Sequence, residues 1–263
     1  MDLTTFQGRA GDRNTRGWEG ATQVSRELTR RLGLEATVVG APAEPLAAAW
    51  DVELEAASDG FRSLAERYIS MFEAGRIPIT AINRCAAAIA TLPIVARYRP
   101  DAVVIWFDGH ADLNVPSNTA TGYLGGIAFS AALGLWDSGF GSGVTPDNAV
   151  LVGARDLDPA EVEVVDQGIV RLIGVEDLGG LSAVIAGRPV YIHIDCDVLE
   201  PGQVPTEYAV PGGLTLESLK RAMADLAGSE LVGLEIGECQ AGVGDEAAVA
   251  ELVSALMPVL RPH

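Results

Sequence analysis

The sequence predicts an α/β fold in which one parallel sheet carries helices on both faces. Three observations lead there. Short apolar runs alternate with amphipathic stretches from one end of the chain to the other. The runs are rich in β-branched residues and nearly continuous, as strands covered on both faces are. The stretches between them repeat apolar residues every three or four positions, which gives a helix one side to bury.

Taken in order, residues 3–7 read as an additional edge strand before an amphipathic helix over residues 18–32. Strands follow at 36–40 and 77–82, separated by a helix at 61–74. A helix at 86–98 leads to a strand at 102–107, and a helix at 124–135 to a strand at 149–153. The last part runs helix 159–166, strand 170–174, strand 189–194, helix 216–226, strand 231–236 and helix 247–260. Pro100, Gly187 and Gly228 fall near helix ends, where a residue without an N–H or without a Cβ fits. No repeat, low-complexity tract or long linker divides the chain, so its 263 residues read as one domain, 1–263.

Composition narrows the function. Thirty-six acids against eighteen bases give a net charge of −18, which repels phosphate backbones and anionic lipid. Nucleic-acid and membrane partners are therefore not expected, and most of the excess reads as solvated surface charge. No apolar run reaches the ~20 residues that span a bilayer, and no leader pattern opens the chain. Three widely spaced cysteines without a CxxC argue against a disulfide framework, and the cytoplasm is the expected compartment. Histidine is scarce, at His110, His193 and His263.

In parallel sheets ligands bind beyond the carboxyl ends of the strands, so the residues after each strand carry the chemistry. The strand at 102–107 runs into Asp108-Gly109-His110-Ala111-Asp112-Leu113-Asn114. Extended backbone would put Asp108, His110 and Asp112 on one side. The strand at 189–194 runs into Asp195-Cys196-Asp197, with both acids on one face and Cys196 turned away. Either motif alone reads as a solvated turn. Together on neighbouring strands they gather one imidazole and four carboxylates, and two divalent cations are the natural neutraliser. Cys85, at a helix start, is either a small buried thiol or a thiolate ligand whose pKa the helix N-terminus and nearby cations lower. His193 reads either as a donor behind a ligand or as a satisfied core histidine. Trp18, Trp50, Trp106 and Trp136 read as packing residues. The Gly-rich stretch from Gln7 to Arg13 lacks GxxxxGK and reads as an edge loop near the substrate mouth.

These motifs resemble those of the arginase–agmatinase (ureohydrolase) family. Asp108-Gly109-His110-Ala111-Asp112-Leu113-Asn114 is similar to DAHxDxN, and Asp195-Cys196-Asp197 with Leu199-Glu200-Pro201 to DxDxxDP. Gly153-Ala154-Arg155-Asp156-Leu157-Asp158 with Glu161 resembles GxRDxD and its following acid. Gly212-Gly213-Leu214-Thr215 and Glu235-Ile236-Gly237-Glu238 fit as well, so five motifs fall in order. The resemblance implies a three-layer αβα sandwich around an eight-stranded parallel sheet, holding two Mn2+ per chain. Asp108 and Asp195 would bridge the metals, Cys85 and Asp112 would complete one, and His110 and Asp197 the other. Glu238 would face the guanidine headgroup. Asn114, Thr119 and Thr121 would meet a substrate α-carboxylate, and Asp158 and Glu161 its α-amino group.

Two departures stand out. Ile82-Asn83-Arg84-Cys85-Ala86 occupies the place of GGDHS, so a thiol replaces the first imidazole ligand. Thr121-Gly122-Tyr123-Leu124-Gly125-Gly126 occupies the place of SGNLHG, so Gly125 replaces a proton-shuttling His. A smaller one is Gln240-Ala241 after Glu238, where Asn-Pro is common. The departures resemble the branch that hydrolyses Nω-hydroxy-L-arginine to hydroxyurea and L-ornithine in antibiotic biosynthesis. The implied partner is a small guanidino or hydroxyguanidino amino acid, and Asp112 is the candidate proton shuttle. An arginase, agmatinase or other guanidino-acid hydrolase stays open, as does a catalytically weak binding protein on the same fold. Either a monomer or a homo-oligomer is compatible with the sequence.

Overall fold

A computed structural model describes residues 1–260; His263 lies outside the described residues. Eight parallel strands form one sheet in the order β2-β1-β3-β8-β7-β4-β5-β6. They are β1 (Asp2–Phe6), β2 (Ala36–Val39), β3 (Pro78–Ala81), β4 (Val103–Phe107), β5 (Ala149–Val152), β6 (Arg171–Ile173), β7 (Val190–Asp195) and β8 (Leu231–Gly237). The helices are α1 (Arg16–Leu32), α2 (Trp50–Glu73), α3 (Ala88–Tyr98), α4 (Ala128–Ala132), α5 (Pro159–Asp166), α6 (Leu181–Ile185), α7 (Leu216–Leu226) and α8 (Glu246–Leu260).

Strand alternation sorts the core into two layers. Val103, Ile105 and Phe107 of β4 join Ile192 and Ile194 of β7 under α1, α6, α7 and α8. Val104 and Trp106 point the other way, with Tyr191, under α2, α3, α4 and the inner side of α5. Every side chain of β4 is buried, and each apolar one contributes roughly 1.5–3 kcal/mol. This is the three-layer sandwich that the sequence implied.

Some elements differ from the sequence reading. Residues 3–7 are not an edge: β1 pairs with both β2 and β3, and β2 is the outer strand, with Thr37 and Val38 exposed. Helix α2 begins at Trp50, well before residue 61. The helix expected at 124–135 shrinks to α4 behind a 3-10 turn, Gly125–Ile127. Helix α6 was not expected, because Gly179-Gly180 breaks the periodicity ahead of it.

The register levels the working ends of four neighbouring strands. Phe107 pairs with Ile194, Ile194 with Ile236, and Ala81 with Ile236. The next residues of β4 and β7, Asp108 and Asp195, therefore leave the sheet at one height, beside the chain that leads to Cys85 and Glu238.

Candidate metal centre and substrate cavity

A cavity of about 470 Å³ opens over those strand ends. Cys85, His110, Asp112, Asp195, Asp197 and Glu238 line its floor. Asp108 lies wholly buried behind them. Three sets of ligand atoms fall within 4.8 Å of one another: Cys85, Asp108 and Asp112; Cys85, Asp195 and Glu238; and Asp108, His110 and Asp197. All six expected metal residues thus converge on one place.

They do so by a route other than simple strand alternation. Beyond β4 the chain turns, with the His110 N–H donating to Asp108 Oδ1 at 2.7 Å. Beyond β7 a 3-10 turn, Cys196–Val198, lets the Asp197 N–H donate to Asp195 Oδ1 at 2.7 Å. Such side-chain-to-backbone turns aim the carboxylates inward. Asp112 and Glu238 have left-handed backbones, at φ 52° and 57°. A non-glycine residue there costs of order 1–3 kcal/mol and persists where the surroundings fix it. Hydrogen bonds fix both: the Phe129 and Ser130 N–H groups donate to the Asp112 carbonyl at 3.1 Å, and Arg84 Nη1 and the Cys85 N–H donate to the Glu238 carboxylate at 2.8 and 3.0 Å.

The acids are in conflict without a cation. Burial, then Asp197, push the Asp108 carboxyl up to about 6. Burial and the neighbouring acids push Asp112 and Asp195 well above the carboxylate range. Burial pulls the His110 imidazolium down, but its contacts with Asp108 and Asp197 outweigh that and hold it up to about 12. The helix terminus alone does not lower the Cys85 thiol. Burial and four carboxylates, led by Asp195, push it up. Only a positive charge at the site reverses that balance.

One contact tests the metal reading directly. Buried Asp197 Oδ2 lies 2.9 Å from His110 Nδ1 as an ion pair without a well-aligned hydrogen bond. Two atoms of metal-ligating types thus face each other across one point. Cys85 Sγ lies 3.1 Å from Asp195 Oδ2 and 3.1 Å from His193 Nε2. The residues present fit a pair of divalent cations.

Groups behind the ligands hold them. His193 Nδ1 reaches Glu235 at 2.8 Å, and Thr91 donates to the other Glu235 oxygen at 2.9 Å. The His193 ring stacks on Trp106, with centroids 3.5 Å apart. Both readings of His193 hold: it is a buried histidine satisfied by Glu235, and its Nε2 also touches Cys85 Sγ. Trp106 packs as expected, and its Nε1–H also donates to Asp108 Oδ2 at 2.8 Å.

The expected substrate residues are distributed unevenly. Asn114, Thr121, Asp158 and Glu161 line the cavity. Thr119 is not among the lining residues; its hydroxyl accepts from the Gly122 N–H. Asn114 Nδ2 donates to Asp158 Oδ2 at 2.8 Å, while its own Oδ1 is buried and unpartnered. Both Glu161 oxygens take backbone N–H groups, of Leu113 and of the α5 N-cap Asp158, so this acid anchors the loop. Arg13 lines the mouth, at the end of the loop assigned there from sequence.

Sequence reasoning did not single out Tyr123, Tyr208 and Arg84. A Cβ on Gly125 would sit 2.5 Å from the Tyr123 ring. The Tyr123 ring therefore fills the space that a side chain at 125 would need, and its hydroxyl donates to Glu238 Oε1 at 3.1 Å. Arg84 pairs with Glu238 behind the cavity. Both stand in the stretches that depart from the family pattern, which was the available signal.

Comparison with known proteins agrees with this geometry. The Arginase family profile matches residues 11–259. An N(omega)-hydroxy-L-arginine amidinohydrolase from Streptomyces lavendulae is 39% identical, covering 100% of this chain and 96% of that one. An arginase from Bacillus caldovelox is 26% identical over 68% of this chain and 66% of its own. The crystal structure of arginase from Bacillus subtilis superposes with a TM-score of 0.82 at 20% identity, covering 98% of each chain.

Proposed function

This chain belongs to the arginase family, and from that premise we propose that it hydrolyses the guanidino C–N bond of Nω-hydroxy-L-arginine to give hydroxyurea and L-ornithine. The observation that carries the reading is the convergence of Cys85, Asp108, His110, Asp112, Asp195 and Asp197.

Cys85, Asp108, His110, Asp112, Asp195 and Asp197 would hold the two cations, with Asp108 and Asp195 shared between them, Cys85 and Asp112 serving one and His110 and Asp197 the other. Manganese suits a set in which oxygen donors predominate, although a thiolate also suits zinc, iron or cobalt. When bound, the pair supplies Lewis acidity and activates water near neutral pH. The protein does the rest. Glu238 orients the headgroup. Asn114 and Thr121 receive the α-carboxylate, and Asp158, on the loop that Glu161 anchors, receives the α-amino group; Thr119, which does not line the cavity, takes no such part. Water adds its oxygen to the guanidine carbon, the bond to the ornithine nitrogen breaks, and Asp112 carries a proton to that nitrogen.

The substituted positions favour hydroxyarginine over arginine. Arginine keeps its guanidinium charge, with a pKa above ~12. An N-hydroxyguanidine is less basic, because its oxygen withdraws electron density, and so needs less acid–base help. Tyr123 occupies the space beside Gly125 where the shuttling imidazole is missing. A cytoplasmic location fits three buried thiols that form no disulfide; among the described residues no helix is long and apolar enough to cross a membrane.

The test is turnover of hydroxyarginine, arginine and agmatine by protein with its metals counted and identified. Hydroxyurea release far above urea release from arginine, with two ions per chain, is expected. Equal or greater arginine turnover overturns the substrate assignment, and no turnover with an unmetallated site overturns the enzyme reading.

A further inference from the structure

Glu238 is 3% exposed and lines the cavity, yet its carboxylate is already engaged. Arg84 Nη1 donates to Oε2 at 2.8 Å. Oε1 accepts the Cys85 N–H at 3.0 Å and the Tyr123 hydroxyl at 3.1 Å. A carboxylate has about four acceptor sites, two on each oxygen. Three are taken, so Oε1 is full and Oε2 has one left. Fork-to-fork docking of a guanidinium needs a free site on each oxygen.

The charge of Glu238 is countered as well. Arg84 is 0% exposed and contacts two further acids, Glu207 Oε2 at 2.7 Å and Asp12 Oδ1 at 3.3 Å. Those two have neutral donors of their own. Glu207 Oε2 accepts from Asn14 and Gln240, and Asp12 from Asn83 and the Ala10 N–H. Neither Asp12 nor Glu207 lines the cavity, so Glu238 is the member of the trio that meets a ligand. Arg84 stands where the family's GGDHS pattern has an acid, one residue before Cys85.

We propose that Arg84 is a specificity-determining residue: by occupying Glu238 it makes the headgroup pocket prefer an uncharged guanidine-type group over a guanidinium cation. This rests on the reading that the cavity takes a guanidino amino acid. The headgroup offers one hydrogen bond to the remaining Oε2 site and carries no charge that the Arg84–Glu238 pair leaves unanswered. An arginine cation finds neither the fork nor the full negative charge.

L-citrulline and L-arginine separate charge from shape, since they share a carbon chain and differ in a neutral oxygen against a cationic nitrogen. The experiment measures equilibrium binding of both to metal-loaded protein at neutral pH, for wild type, Arg84→Gln, Arg84→Gln/Glu207→Gln and Arg84→Lys. The glutamine keeps a donor to Glu238 without the charge, and the double variant also relieves the remaining acids. Wild type is expected to bind citrulline at least as tightly as arginine. Both glutamine variants shift the ratio toward arginine by at least about tenfold, or about 1.4 kcal/mol, while Arg84→Lys stays within about threefold of wild type. A purely structural Arg84 would weaken both ligands together and leave their ratio alone. An unchanged ratio in either folded glutamine variant overturns the proposal, as does wild-type preference for arginine or binding of neither ligand. The binding ratio is read without turnover, so a chain that hydrolyses none of the substrates fails the functional reading separately.

Discussion

Removing the cations with a chelator leaves Asp108 a fully buried acid beside Asp197. Burial first, and the Asp197 charge second, lift it from 3.8 to about 6. About two units at ~1.4 kcal/mol each is about 3 kcal/mol. Between roughly pH 4 and 6 the unfolded carboxyl is ionised while the folded one keeps its proton, so stability falls as pH rises through that window and stays low above it. Asp12, lifted to about 6 mainly by burial, acts in the same direction. So does His110, held at about 12, whose contribution is complete below its ordinary 6.5 and declines above it. Glu27 acts the other way: its hydrogen bond from Arg30 lowers it from 4.5 to about 2, so its contribution is complete above 4.5 and is lost in acid. Between roughly pH 5 and 7 the metal-free fold should therefore weaken. Cations bind the ionised ligands and replace the proton, so the loaded fold escapes the loss. A little under half of the Asp108 contribution, ~1.3 kcal/mol, falls between pH 5 and 7; at ~2–4 °C per kcal/mol for a domain approaching this size, the Tm gap between loaded and metal-free protein should widen by ~3–5 °C over that range. Scanning calorimetry of chelated and reloaded protein at the two ends of the range measures it. A gap that is absent or constant with pH refutes the argument that these buried acids need cations to coexist.

Three further outcomes are expected. Cys85→Ala should lower metal occupancy by elemental analysis and cut turnover at least tenfold, while Cys85→His, restoring the family's ligand, should retain bound metal. Gly125→His should displace the Tyr123 ring, lower stability by ~1–3 kcal/mol through overpacking, and leave arginine turnover unimproved. Trimming Tyr123 to Ala in the same chain should raise arginine turnover at least tenfold over Gly125→His alone, since acid–base help is worth ~10²–10⁴; a gain in the single variant with unchanged Tm would contradict the packing. Trp106→Phe should keep the stacking on His193 but lose the N–H donated to Asp108, weakening metal affinity by ~10–100-fold in a competition titration against a metal-binding dye.

Much of the centre was legible because chemistry and topology reinforce each other along the chain. Asp108-Gly109-His110 and Asp195-Cys196-Asp197 each follow an unbroken apolar run, and a parallel sheet puts such residues at one end. The mechanism of convergence was not legible. Period-two alternation accounts for neither the left-handed Asp112 nor the 3-10 turn at Asp197, because both depend on contacts made after the strand ends. The Cys85 thiol shows the same limit: its helix start was visible, but the carboxylates that raise its pKa arrive from β4, β7 and β8.

The sequence by itself determined the parallel α/β architecture and the gathering of acids and one His at its strand ends, because periodicity and residue type are local properties. Tertiary structure alone decided that β1 lies inside the sheet, that Tyr123 fills the space at Gly125, and that Arg84 reaches across 154 positions to Glu238. Charge pairing and steric occupancy depend on distance in space, which one-dimensional spacing does not encode.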